Sequence, residues 1–211
     1  MNRLPGIVAQ HIVALRALIL FTVILGLAYP VVIFGIGQGL FHNQTNGSPV
    51  SFHGKVVGSS LLCQEFVDAK GNPLPQYFQP RPSDAVVSGA KNDYGCDPLY
   101  SSASNLGPNN PLLVKNIQTA QQQIAKFDHV KISQIPADAV TTSGSGLDPD
   151  ISPQNADIQV DRIAAARHVS PAAIMALVKQ YTQGRTLGFL GEPRVDVLNL
   201  NIALDEKYPV S

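Results

Sequence analysis

Between Ala17 and Phe41 the chain carries no charged side chain. The run reads ALILFTVILGLAYPVVIFGIGQGLF, longer than the roughly 20 residues that carry an α-helix across the hydrocarbon of a bilayer. A cleaved signal peptide has an apolar region of only about 7–15 residues, ending in a small-residue site. This run is longer, and no such site follows it. It therefore predicts a membrane-spanning helix. Inside it, Pro30 cannot donate to the carbonyl of Gly26, so a kink is expected there. Gly35 and Gly39 form a Gly-x-x-x-Gly pair that would let a second helix approach closely. The alternative is that the glycines at 35, 37 and 39 mark a fraying helix end.

The flanks give an orientation. Residues 1–16 hold Arg3 and Arg16 and no acid, and beyond the run the first Lys or Arg is Lys55. Basic residues collect on the cytoplasmic side. The expected organisation is a short cytoplasmic N-terminus over residues 1–16, a transmembrane helix over 17–41, a linker over 42–55 and an extracytoplasmic globular domain over 56–211. The polar, turn-rich HNQTNGSPVS at 42–51 supports the linker.

Roughly 165 residues remain after the anchor, enough for one domain with a hydrophobic core. Composition is that of a globular chain, 45% hydrophobic and 14% charged, with Lys+Arg equal to Asp+Glu at 15 each. With no basic run to follow a phosphate backbone, nucleic acid is not an expected partner.

Local signals predict a mixed α/β (α+β) domain. Val56 to Phe66 (VVGSSLLCQEF) reads as a buried strand, with helix as the alternative. Residues 77–110 are rich in Ser, Asn, Gly and Pro, and so long an irregular stretch in a compact domain is usually functional or a contact surface. Three helices follow. Asn110-Pro111 places a cap before a first-turn proline, with Leu113, Ile117, Ala120, Ile124 and Phe127 on one stripe. Ser152-Pro153 opens a second, with Ala156, Val160, Ile163 and Ala164 inward. Ser170-Pro171 opens a third, with Ile174, Leu177 and Val178 inward and an end near Gly184. Val195 to Leu200 (VDVLNL) alternates and reads as a last strand.

Chemistry-bearing motifs are sparse. Thr142-Ser143-Gly144-Ser145-Gly146 resembles a nucleophile elbow, but that motif needs Gly two before the serine, and Ser143 stands there. There is no Walker-type phosphate loop. His11, His42, His53, His129 and His168 show no ligand spacing, and two cysteines alone cannot hold a structural zinc. No catalytic, cofactor or metal residue is assigned. Cys63 and Cys96 are a candidate disulfide, with two buried thiols as the alternative.

Several polar phrases remain, each of which also reads as a tight turn. They are Tyr77-Phe78 with Arg81-Pro82-Ser83, Ser104-Asn105-Leu106-Gly107-Pro108, Thr142-Ser143-Gly144-Ser145-Gly146-Leu147-Asp148-Pro149 with Ile151-Ser152-Pro153, and Gly191-Glu192-Pro193 before Val197-Leu198. Tyr29-Pro30 in the anchor and Val57-Gly58-Ser59, Leu61-Leu62 and Gln64 precede them. In this order they resemble the KdpC subunit of the bacterial potassium-transporting Kdp P-type ATPase, over nearly the whole chain.

The resemblance implies a non-catalytic accessory subunit in the bacterial inner membrane. It would assemble with a channel-like potassium-binding subunit, an ATP-hydrolysing pump subunit and a small membrane peptide. ATP and potassium would be handled by the complex, with no cofactor bound directly. The resemblance also implies a catalytic chaperone role, raising the pump's affinity for ATP. The orientation places this domain across the membrane from a cytoplasmic ATP site, which favours an external, structural role. The family's Ser-Gly-Gly signature is here Ser102-Ala103-Ser104-Asn105, without the glycines that would cradle a phosphate. Gly35, Gly39, Arg81, Ser83, Asn105, Asp148 and Glu192 are the candidate partner contacts. The other readings are a membrane-anchored hydrolase using Ser145 and Asp148, and a ligand-sensing domain.

Overall fold

A computed structural model describes residues 5–86 and 95–210; Arg3 of the orienting flank lies outside them. The chain divides into two units, Met1–Ser48 and Pro49–Ser211.

In the first unit, helix α1 (Gly6–Val23) passes through a π-helical turn (Ile24–Ala28) into helix α2 (Tyr29–Leu40). The whole, Gly6–Leu40, is long and apolar enough to cross a membrane, with none of its most apolar stretch buried. The irregularity expected at Pro30 takes the form of that π-turn. Phe41 breaks the helix with φ −133° and ψ 42°, and a single turn, α3 (His42–Thr45), follows. Gln38 and Asn46 exchange side-chain hydrogen bonds at 3.2 and 3.4 Å, folding α3 back on the end of α2. Gly37 permits this, because a Cβ there would stand 2.7 Å from Thr45 Cγ2. Gly35 and Gly39 have open space around them. The three glycines thus divide into one needed by the α3 turn and two that leave the helix surface bare.

In the second unit, strands β1 (Pro49–Phe52) and β2 (Lys55–Ser59) form an antiparallel hairpin. Its tip, His53-Gly54, has positive φ at both residues (49° and 77°), the backbone a two-residue hairpin turn requires. Residues 42–55, read as linker, therefore contain α3 and β1. The predicted buried strand over Val56–Phe66 is corrected. Pairing ends at Ser59, Val56 is 67% exposed, and the chain turns where Leu62 N–H donates to Ser59 O at 3.3 Å.

Helices α4 (Pro111–Phe127), α5 (Pro153–Ala166) and α6 (Pro171–Tyr181) start at the expected caps. Asn110, Ser152 and Ser170 each accept a backbone N–H inside the first turn. Histidines close two of them. His129 and His168 take φ of 56° and 55°, and the next residues donate back across the turn, Val130 N–H to Ala125 O and Val169 N–H to Ala164 O. That is the left-handed helix stop usually supplied by glycine.

Strands β3 (Asp150–Ile151), β4 (Thr182–Gln183) and β5 (Arg194–Asp196) form a small antiparallel sheet in the order β3-β5-β4. The predicted strand Val195–Leu200 is corrected at its C-terminal side. β5 stops at Asp196, and helix α7 (Val197–Lys207) begins there. Asp196 accepts the Asn199 N–H at 2.7 Å, an N-cap, and Val197, Leu200, Asn201 and Leu204 are buried at helical spacing. The adjacent apolar pair Val197-Leu198 had already broken the alternation.

The core lies among α5, α6, α7 and the sheet. Ile151, Ile163, Ile174, Leu200 and Leu204 are almost fully buried, and Phe78 is inserted from the irregular region. Stripe residues Leu113, Ile117, Ala120, Ile124 and Phe127 of α4 are half-buried.

Candidate functional site

Residues 75–79 pair with no strand, yet each of their carbonyls accepts a hydrogen bond. Side chains of α5 and α7 take the place of a neighbouring strand. Asn201 accepts the Phe78 N–H and donates to the Phe78 carbonyl, both at 2.9 Å. Gln159 does the same for Gln79, at 2.8 and 3.2 Å. Arg162 donates to Pro75 O and Tyr77 O at 2.6 and 2.9 Å, and Arg167 to Gln76 O at 2.8 Å. Arg162 also holds the buried Asp128 at 2.6 Å and lies 4.3 Å over the Phe127 ring. Burial pushes the Asp128 carboxyl upward, and the Arg162 charge pulls it back. Arg167 pairs with Asp205 at 2.7 Å.

This fixes the course of the next residues, where three of the candidate contacts converge. Arg81 donates to Asp148 at 2.9 Å and to Thr141 O at 3.3 Å; its Nε is buried without a partner. Ser83 Oγ donates to Gly146 O at 2.7 Å and accepts the backbone N–H groups of Ala85 and Cys96. Around them Ser143 N–H donates to Pro82 O, Ser102 N–H to Ser145 O and Cys63 N–H to Leu147 O, each at 3.0 Å. Gly146 sits at the centre with φ +74°. A Cβ there would meet Ser102 O at 2.5 Å and Ala85 Cβ at 2.8 Å. Cys63 and Cys96 are bonded, with Cα atoms 5.4 Å apart. The loops before Val86, from Gly95 to Ser102 and over 141–149 are thus tied into one body.

The remaining candidates lie apart. Asn105 is exposed at φ 51°, its amide donating to Ala103 O at 3.0 Å. Glu192 is exposed and pairs with Arg185 at 2.7 Å. That pair closes the base of a tight turn in which Thr186 and Leu190 exchange backbone hydrogen bonds at 2.9 Å. The turn displays Leu187 and Phe189, 80% and 68% exposed. Sequence reasoning missed this apolar tip; its signal was the Leu-Gly-Phe-Leu run beside Gly191-Glu192. It also missed Gln159, Arg162, Arg167 and Asn201, whose partners are remote in sequence and leave no local pattern.

Ser145 Oγ accepts the Leu147 N–H at 3.1 Å and lies 3.3 Å from Ser143 Oγ. Asp148 is bound to Arg81 and accepts the Asp150 N–H at 3.1 Å. No histidine is among these partners, so the residues do not form a nucleophile with its base. Among the described residues, no group of three or more His, Cys, Asp and Glu side chains is placed to hold a metal.

Comparison with known proteins is specific. A family model described as "K+-transporting ATPase, c chain" matches residues 11–206. A protein of Streptomyces avermitilis described as a potassium-transporting ATPase KdpC subunit is 47% identical over 209 residues, covering 93% of each chain. One from Caulobacter vibrioides with the same description is 48% identical over 197 residues, covering 93% of this chain and 92% of its own. Another from Kineococcus radiotolerans is 44% identical over 206 residues, covering 98% of both.

Proposed function

This chain belongs to the KdpC family of potassium-transporting ATPase subunits, and from that premise we propose that it is a non-catalytic accessory subunit that holds a potassium-uptake complex together from outside the membrane. The observation that carries the reading is the tied body of loops around Gly146. Apart from Arg81 Nε, the side chains of Arg81, Ser83, Ser145 and Asp148 are held by groups of the same loops, which suits a rigid docking surface.

The apolar Gly6–Leu40 helix anchors the chain beside the channel-like subunit, with the bare backbone at Gly35 and Gly39 as the contact. The domain lies outside and caps that subunit near its external mouth. Arg81, Ser83 and Asp148 act in this by fixing loop shape, and Asn105 and Glu192, with Leu187 and Phe189 beside the latter, touch the partner. The ATP-hydrolysing subunit and the small membrane peptide complete the assembly. A rise in the pump's ATP affinity is then transmitted through the assembly, without contact between this domain and nucleotide.

Cysteines introduced as Asn105→Cys and Glu192→Cys, fitted with a short photocrosslinker in the assembled complex, should reach an external loop of the channel-like subunit. Labelling confined to cytoplasmic domains overturns the external placement. Tight binding of ATP or potassium to the full chain alone, measured by calorimetry, would favour the ligand-sensing reading instead.

A further inference from the structure

The disulfide is not sealed inside the loop body. Cys63 and Cys96 both line a cavity of about 360 Å3, with Val57, Leu62 and Pro98 among the other walls. Each cysteine keeps a small exposed fraction, 7% and 6%, and Val57 is itself partly exposed. The cavity is far too small for a folded protein and large enough for a thiol of a few heavy atoms.

The two cysteines are held unequally. Cys63 Sγ lies 3.2 Å from the Gly146 carbonyl oxygen. A disulfide sulfur has nothing to donate to that oxygen, whereas a thiol does. Cys96 has a φ of 55° and follows Gly95 at 130°, a left-handed backbone that is costly for a residue with a Cβ. The disulfide and Ser83 Oγ, which accepts the Cys96 N–H at 2.9 Å, keep it there. Without the disulfide, the loop over 95–102 would be left with hydrogen bonds such as Asp97 N–H to Ala85 O at 2.9 Å and Ser102 N–H to Ser145 O at 3.0 Å. The main core cluster contains neither cysteine, and residues 75–79 are held by α5 and α7.

We propose that Cys63–Cys96 is a thiol-exchange site: a low-molecular-weight thiol enters the cavity, opens the bond in the folded chain and loosens the loop over 95–102 without unfolding the core. The incoming thiolate attacks one Sγ, forms a mixed disulfide and expels the other sulfur with the electron pair, and that sulfur takes up a proton. A second thiol then closes the S–S bond of the reagent and expels the second cysteine in the same way. Two reagent thiols are oxidised to a disulfide as the protein disulfide becomes two thiols, and the Cys63 thiol donates to Gly146 O. Where no such thiol is supplied, an oxidising compartment keeps the bond closed. The inference deepens the accessory-subunit reading, since the loosened loop belongs to the docking body.

The test is the kinetics of reduction of the full chain in detergent by dithiothreitol, with acid-quenched samples read as mass-tagged thiols. The rate should rise about tenfold for each tenfold rise in dithiothreitol and exceed the unfolding rate extrapolated from denaturant. Val57→Trp, which narrows the cavity, should slow reduction by about fivefold or more in the folded chain and leave it unchanged in denaturant. In chain kept reduced, the Asp97 and Ser102 amides should exchange about tenfold faster or more while the Phe78 amide stays protected. A rate that levels off at the unfolding rate overturns the proposal, because the bond is then reached only in unfolded chain. Loss of protection at Phe78 together with Ser102 also overturns it, making the disulfide a clasp on the fold as a whole. These measurements use the chain alone, so their failure leaves the accessory-subunit reading standing.

Discussion

Gly146 shows how much one missing carbon can decide. Its φ of +74° is costly for any residue with a Cβ, and that atom would press on the Ser102 carbonyl and the Ala85 methyl. Neither neighbour is the far end of a flexible side chain, so the backbone would have to move. Gly146→Ala should destabilise the chain by about 2–4 kcal/mol, read as a lowered thermal midpoint in detergent. Crosslinking from Asn105→Cys should weaken in the same variant, because the Ser102–Ser145 bond is next to the strain. Asp196 is the second residue with a measurable signature. Burial raises its pKa to about 6, with the facing Asp150 adding repulsion and the Asn199 and Leu198 N–H groups opposing. The unfolded value is about 3.9. Between those values the folded chain holds a proton that the unfolded chain has released, so stability falls as pH rises from about 4 to about 6. The contribution is fully present below that window and gone above it, about 2–3 kcal/mol in all. Asp196→Asn keeps an N-capping side chain and cannot ionise. Its stability relative to the parent should climb through that window and level off above about pH 6, as followed by denaturant titration at a series of pH values. A difference that does not change with pH would reject the assignment to Asp196.

Among elements, those with a complete local signal were legible in the sequence. α4, α5 and α6 each pair an N-capping side chain with a first-turn proline and an apolar stripe, and each begins where those signals place it. α7 has an Asp cap and no proline, and it follows a strand whose alternation runs into it, so its first turn reads as strand and the helix itself escapes the sequence. The hairpin turn was obscured because His53, not Asn or Asp, takes the first left-handed position. The segment over residues 75–79 could not be read locally at all. Its hydrogen-bond partners are side chains some 80 to 120 positions away, such as Gln159 and Asn201. Asn201→Leu would leave the buried N–H and C=O of Phe78 unpaired, each at about 1–3 kcal/mol. The expected result is a loss of about 2–5 kcal/mol, with faster hydrogen exchange at the Phe78 amide while the Gln79 amide, held by Gln159, stays protected. Equal loss of protection at both would mean that the segment is held as one unit.

For the whole molecule, the tied loop body, the disulfide and the orientation of the anchor are one question. Of the candidate site, the sequence could offer Arg81, Ser83 and Asp148 as members of separate turn-like phrases. Their convergence depends on Arg81 meeting a carboxylate 67 positions away, which no spacing rule encodes. The cysteines are 33 positions apart and close the same body, since Cys63 N–H also bonds Leu147 O and Cys96 N–H bonds Ser83. By the chain-entropy relation a loop of that length is stabilised by about 3–4 kcal/mol. Reductant should lower the thermal midpoint of the parent chain and leave a Cys63→Ala/Cys96→Ala variant unmoved. The same pair reports on topology, because disulfides persist in oxidising compartments and are kept reduced in the cytosol. Cells quenched in acid and treated with a mass-tagging maleimide before any reduction should yield untagged protein, and the same sample reduced first should gain two tags. Two tags before reduction would place the domain on the cytoplasmic side. The Arg3 and Arg16 flank would then have misled, and the external cap would have to be abandoned in favour of direct contact with the pump's cytoplasmic domains.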